Sequence, residues 1–209
     1  MLQFRNFTKS YHNNLVLDIP NATMADGLYW LRGKNGSGKS TLLKSIAGII
    51  SFNGEIMLER LSIKKNGVAF RRLVNFAEAE PIYPEYLSGL EMINLFQTAK
   101  GNGVFSSQQL IAEMGMEAYI GSPLGSYSSG MLKKLSLVLA FLGNPKWILL
   151  DEPLNTLDQD SLKILYGWIS HTHVEHNMNF LLSSHQQIST ALLPLTHIAD
   201  IVSHQLIIK

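Results

Sequence analysis

Gly33-Lys34-Asn35-Gly36-Ser37-Gly38-Lys39-Ser40 is the stretch that decides the fold. A glycine, four residues and then Gly-Lys-Ser is the spacing of a phosphate-cradling loop. Its glycines let successive backbone N–H groups curl around a phosphate. The helix that starts behind it adds the positive potential of its N-terminus. Lys39 is placed to reach the β- and γ-oxygens of a triphosphate, and Ser40 to set a hydroxyl on Mg²⁺. The flanks agree with this reading. Gly27–Arg32 reads as a strand, and Lys39–Ala47, through Thr41, as a helix ended by Gly48. A serine-capped, glycine-rich turn would share the letters but has no need of a strand before it and a helix after it.

A triphosphate loop needs an acid at the end of a neighbouring buried strand to hold the metal's water shell. Trp147-Ile148-Leu149-Leu150 is a short continuous apolar run, the pattern of a strand buried on both faces, and Asp151 follows it. Glu152 is expected to face differently, because side chains alternate along an extended chain, and so to polarise a water for attack on the γ-phosphate. Pro153 stops the strand.

The rest of the chain reads as an α/β fold: a P-loop core with a mostly parallel sheet, an N-terminal antiparallel β region and an inserted helical subdomain. Leu2–Thr8 and Leu15–Ile19 read as early strands with a polar turn at His12-Asn13-Asn14. Short strands are expected near Glu55–Leu58, Val74–Ala77 and Phe180–Ser184, with two more around Ala199–Ile208. Leu90–Tyr119 reads as helical with glycine breaks. Leu132, Leu135, Leu139 and Leu142 mark a helix over Gly130–Phe141, and Ser161–His173 reads as another. Residues 1–209 form one domain on this reading, 79–127 being the helical insertion between 1–78 and 128–209.

Composition sets bounds on partners. The 209 residues are 46% hydrophobic and 16% charged, with 17 basic against 16 acidic residues, so the chain is globular and has no basic excess to argue for nucleic acid. It has no cysteine, which removes disulfides and thiolate metal sites. No apolar run is long enough to span a bilayer. His171, His173 and His176 invite a zinc reading, but i and i+2 do not share a helix face, and we set it aside.

With Gly33–Ser40, Ile148-Leu149-Leu150-Asp151-Glu152-Pro153, Leu157-Asp158 and His185 in this order, the chain resembles the ABC ATPase family over essentially its whole length. The most discriminating piece is Tyr127-Ser128-Ser129-Gly130-Met131, which is similar to the family signature, commonly Leu-Ser-Gly-Gly-Gln. It is also a helix N-terminus, with the Ser128 hydroxyl and free N–H groups near Gly130. The resemblance implies ATP with Mg²⁺, and two chains sandwiching two ATP molecules, with Ser128, Ser129, Gly130 and Met131 capping the γ-phosphate bound to the opposite subunit. It makes Tyr11 the aromatic stacked on adenine, His185 the strand-end histidine at the γ-phosphate and Asp158 the acid of a loop crossing the dimer interface. Ser129 and Met131 depart from the common signature. So does Glu78, which stands where the family has a glutamine that ligates Mg²⁺; with Ser40 and Asp151 it is the expected metal set, at the cost of added negative charge.

The expected function is the ATP-hydrolysing subunit of an ABC transporter, on the cytoplasmic face of the membrane, working with a second ATPase subunit and a separate integral membrane permease. A relative acting on nucleic acid or ribosomes is disfavoured by the single ATPase unit and the charge balance. A non-hydrolysing regulatory subunit is disfavoured by the presence of Lys39, Asp151, Glu152 and His185.

Overall fold

Alternating apolar and polar residues at the N-terminus form a hairpin in the computed structural model, which describes residues 1–185, 193 and 195–209. β1 (Leu2–Tyr11) pairs antiparallel with β2 (Asn14–Met24), and Leu2, Phe4 and Phe7 point into the core. β2 runs well past the expected Ile19, straight through Pro20. It lies at the edge of its sheet, where a proline's missing N–H is tolerated. There follow β3 (Leu28–Arg32), α1 (Lys39–Ile46), β4 (Asn53–Leu58), β5 (Leu61–Ser62), α2 (Gly67–Arg72) and β6 (Val74–Ala77). Then come α3 (Gly89–Lys100), α4 (Ser107–Glu113), α5 (Ser129–Ala140), β7 (Trp147–Asp151), α6 (Gln159–His176), β8 (Asn179–Ser183), β9 (His197–Val202) and β10 (Gln205–Ile208).

The strands make two sheets. An antiparallel sheet has the order β2-β1-β4-β5, and a six-stranded sheet the order β10-β9-β3-β8-β7-β6. The second is parallel except for β10. This is the α/β class read from the sequence. β5 and α2 were not foreseen; two and six residues carry too little periodicity to register.

Helix ends follow their caps. Ser88 opens α3 with a capping box to Glu91, and Ser106 opens α4. Asp158 accepts from Ser161 N, so α6 starts ahead of the expected Ser161, and it ends where Asn177 turns left-handed at φ 52°.

All five residues of β7 are buried, and their alternation divides the core. Trp147 and Leu149 join Phe4, Phe7, Tyr29 and Leu31 under the antiparallel sheet. Ile148 and Leu150 join Leu139, Trp168 and Phe180 on the other face, together with Met92, Ile93 and Leu110 of α3 and α4. Each such side chain contributes about 1.5–3 kcal/mol of burial. α3 and α4 therefore share their core with α5 and α6. The leucine stripe of α5 packs on this core as read, with Leu135, Leu139 and Leu142 buried and Leu132 half-buried against it, while Lys133, which the stripe leaves out, is also only 1% exposed.

Candidate nucleotide site

Register brings the functional segments together. Leu31 of β3 lies opposite Ser183 of β8, Ser183 lies opposite Asp151 of β7, and Leu150 lies opposite Ala77 of β6. The carboxyl ends of four parallel strands thus stand side by side, carrying the phosphate loop, His185, Asp151–Glu152 and Glu78. That edge is where open parallel sheets bind ligands.

The loop after β3 needs its glycines. Gly38 adopts φ 105°, open to glycine at no steric cost, and a Cβ on Gly33 would stand 2.4 Å from Ser37 Oγ. Ser37 Oγ is buried with no hydrogen-bond partner among the described residues. Lys39, 6% exposed, donates from Nζ to Gly33 O at 2.9 Å and to Lys34 O at 3.4 Å. Burial lowers its pKa, while Glu152 and Asp151 pull the other way. A cleft of about 460 Å³ opens here, lined by Tyr11, Val16, the loop from Asn35 through Ser40 and Thr41, Glu152 and His185. Tyr11 is half-exposed, and Lys9 Nζ sits 4.6 Å from the centre of its ring.

Asp151 is 1% exposed, and its Oδ1 accepts from Ser183 Oγ at 2.6 Å. Ser183 Oγ in turn accepts from Glu152 N at 3.0 Å. Glu152 lies past the strand, at φ 45°. Its different facing therefore comes from a left-handed turn and not, as expected, from strand alternation. A non-glycine residue held there costs on the order of 1–3 kcal/mol and marks an over-determined position. Glu152 Oε2 accepts from His185 N at 3.2 Å. His185 Nε2 is 3.1 Å from Oε1, but that approach is not aligned as a hydrogen bond, so Oε1 has no donor among the described residues. A buried carboxylate oxygen at the cleft without a donor is poised to take one from water or substrate.

The remaining candidates fall elsewhere. The carboxylate of Glu78 is ion-paired with Lys44 of α1, and Glu78 does not line the cleft. Ser128 caps α5, its Oγ accepting from Met131 N at 3.3 Å while Ser128 N donates to Met131 Sδ at 3.5 Å. Methionine thus closes the capping arrangement where glutamine is common. Ser128 and Ser129 are exposed, Gly130 and Met131 are half-buried, and all four are absent from the cleft lining of their own chain. A Cβ on Gly130 would stand 3.3 Å from Thr156 O, so the signature packs against the loop that leads to Asp158. Asp158 itself caps α6 and pairs with Lys134 at 3.1 Å. Hydrogen bonds from Ser161 N and Oγ, then Lys134, hold its pKa well below the usual carboxylate range.

Sequence reasoning missed Ser183, Lys44 and Lys133. Ser183 sat in an apolar run ended by two serines, and only the pairing of β7 with β8 shows which one faces Asp151. Lys133 Nζ donates to the main-chain oxygens of Glu78, Ala79 and Asp151, at 3.0, 3.4 and 2.9 Å. Burial lowers its pKa to about 8 against the opposing pull of Asp151, Glu152 and Glu78. Of the histidines, His171 and His176 stack edge to face at 5.5 Å and His173 Nδ1 lies 2.8 Å from Met178 O. No cluster of three His, Cys, Asp or Glu placed to hold a metal occurs among the described residues.

A phosphate loop after β3 and an acid pair after β7, on one edge of a parallel sheet, define a P-loop nucleoside-triphosphate-binding protein. The ABC transporter family model matches residues 18–155. The chain is 34% identical over 190 residues to the cytochrome c biogenesis ATP-binding export protein CcmA of Legionella pneumophila, covering 90% of this chain and 94% of that one. It is 29% identical over 204 residues to the lantibiotic transport ATP-binding protein SrtF of Streptococcus pyogenes, covering 97% and 85%. An ATP-binding subunit of an ABC transporter superposes over 100% of this chain and 89% of its own with a TM-score of 0.88 at 23% identity. An ATP-binding cassette solved as a dimer in a post-hydrolysis state with ADP and Pi superposes over 100% and 98% with a TM-score of 0.84 at 19% identity. The chain belongs to the ABC transporter family, as an ATP-binding subunit. No helix among the described residues is long and apolar enough to cross a membrane.

Proposed function

We propose that the chain hydrolyses ATP as one half of a dimer and couples closure and reopening of that dimer to transport by a separate integral membrane permease, docked on its cytoplasmic side. The observation that carries this reading is Glu152: a buried carboxylate lining the phosphate-loop cleft, with Oε2 held by His185 N and Oε1, 3.1 Å from His185 Nε2, without an aligned donor among the described residues.

On this reading Lys39 leaves the carbonyls of Gly33 and Lys34 for the β- and γ-oxygens of ATP. Glu152 takes a hydrogen bond from water through Oε1 and draws off its proton as the water attacks the γ-phosphorus. The bond from that phosphorus to the bridging oxygen breaks, leaving ADP and phosphate. His185 holds Glu152 in place and faces the γ-phosphate. The hydroxyl of Ser40 and the carboxylate of Asp151 are hard oxygen ligands that would hold Mg²⁺, Glu78 joining them on release from Lys44, and the ion would neutralise charge on the phosphate oxygens. Tyr11 stacks on adenine.

Ser128 and Ser129 of the signature are exposed, and none of Ser128 to Met131 lines the cleft of its own chain, which supports use of the signature by a second copy or a paired subunit. Asp158 holds the loop behind it. Residues 79–127 form the helical insertion, where Ile82, Tyr86, Leu90 and Leu95 are exposed apolar side chains suited to a permease segment.

The test is Glu152→Gln with Mg-ATP. The variant is expected to lose turnover and to form an ATP-dependent dimer in light scattering. A variant that stays monomeric and hydrolyses normally sinks the assignment.

A further inference from the structure

Lys133 is more deeply buried than Lys39, yet it lies outside the cleft. It sits in the second turn of α5, the helix whose first residues are the signature. A lysine ammonium has three donors, and here all three reach main-chain carbonyls. Two belong to Glu78 and Ala79, where the chain leaves β6, and the third belongs to Asp151, the last residue of β7. Carbonyls at strand ends lack ladder partners and need donors when buried. A serine or an amide cannot span three acceptors on two strands; a flexible cation can. The next residue extends the arrangement: Lys134 Nζ pairs with Asp158 Oδ2 at 3.1 Å and donates to Met114 O at 3.2 Å.

We propose that Lys133 is a positioning residue for ATP hydrolysis, clamping the strand end of Asp151 and Glu152 and the loop of Glu78 to the helix that presents Ser128. The signature and the acids then shift as one body, so that a signature seated on a partner's nucleotide sets the acids of its own site. The inference rests on the hydrolysis reading given above. It assigns to Lys133 no contact with nucleotide, metal or water, only the placement of groups that make those contacts.

The test compares Lys133→Met and Lys133→Arg in the full chain. Methionine keeps the volume and removes the donors; arginine keeps donors. Lys133→Met is expected to bind a fluorescent ATP analogue within about twofold of wild type, because the phosphate loop is untouched. Its kcat is expected to fall on the order of tenfold to a hundredfold with KM little changed, the size of loss that a misplacement of about 1 Å produces. Arginine is expected to restore part of kcat. The chain has no cysteine, so spin labels on Ala118→Cys and Lys65→Cys, both at exposed sites, report the insertion against the core without interference. Their distance distribution is expected to broaden in Lys133→Met and to stay narrow in Lys133→Arg. If Lys133→Met does not melt cooperatively, Lys133→Gln, which keeps two donors, carries the same measurements. Wild-type kcat with an unbroadened distribution in the variant overturns the clamp and leaves the hydrolysis reading intact. Parallel loss of ATP binding and turnover, without rescue by arginine, also overturns it, since that is a folding defect. A wild-type chain that binds ATP and never turns it over removes the hydrolysis reading, and the positioning role with it.

Discussion

Ser183 and Asp151 face each other across β8 and β7, and Ser183 Oγ donates to Asp151 Oδ1 at 2.6 Å. Because the same hydroxyl accepts from Glu152 N, one side chain fixes both acids. Removing it strands a carboxylate that is 1% exposed. Ser183→Ala should therefore lose about 1.5–3 kcal/mol, the range for a hydrogen bond to a charged group. In a domain of this length that lowers Tm by roughly 3–12 °C. Ser183→Thr keeps the hydroxyl and should recover most of it. Thermal melts of the three proteins decide the matter, and an alanine variant as stable as wild type would remove Ser183 from this role.

Lys44 answers the question raised by Glu78. Glu78 lies outside the cleft lining, and on the proposed reading the ion pair to α1 offsets the repulsion its charge would add to a bound triphosphate. Both side chains are about one third exposed, so the pair is screened and worth about 0.2–1 kcal/mol. Lys44→Met is expected to raise KM for ATP by up to about fivefold, the most that energy allows, and adding Glu78→Gln to return it toward wild type. A steady-state double-mutant cycle measures the coupling. Independent effects at the two positions would mean that Lys44 does not compensate Glu78.

Much of the fold was legible because its signals are local. The loop from Gly33 to Ser40 carries its own spacing, and the Trp147–Leu150 run can hardly be anything but a buried strand. What escaped depends on neighbours distant in sequence. Lys133 looks like surface until β6 and β7 deliver three carbonyls to it. Glu152 looks like the next residue of a strand, and only its positive φ shows that the chain has already turned. The reading Leu15–Ile19 falls short of β2, which runs to Met24, because edge position cannot be read from one strand alone.

Asp158 gives a pH signature. Its folded pKa lies below the unfolded value of about 3.9, because Ser161 N, Ser161 Oγ and then Lys134 all favour the charged form. A depressed carboxylate stabilises the fold above the unfolded pKa, and that stability is lost as pH falls toward the folded value. The side chain is 57% exposed, so the Lys134 pair adds little and the helix cap, about 1 kcal/mol, dominates. Asp158→Asn keeps a capping oxygen and does not titrate. Wild type is expected to be the more stable at pH 7, by less than about 1 kcal/mol, and the two melting curves to draw together progressively as pH falls below roughly 5. Curves that stay parallel over that range would show that Asp158 titrates alike in both states.

Tyr11 lines the cleft, and its half-exposed ring has a lysine over it at 4.6 Å. If adenine stacks there, the contact is made before and during the chemical step alike. A contact equal in both states lowers KM without changing kcat. Stacking of a base on an aromatic is worth about 1–3 kcal/mol, so Tyr11→Ala should raise KM for ATP by about tenfold with kcat unchanged. Tyr11→Trp should keep the affinity, since every π face serves. Because the ring presents no hydrogen-bond code to the base, GTP should suffer the same loss as ATP. A fall in kcat in place of a rise in KM would place Tyr11 in the hairpin's packing and not in the nucleotide site.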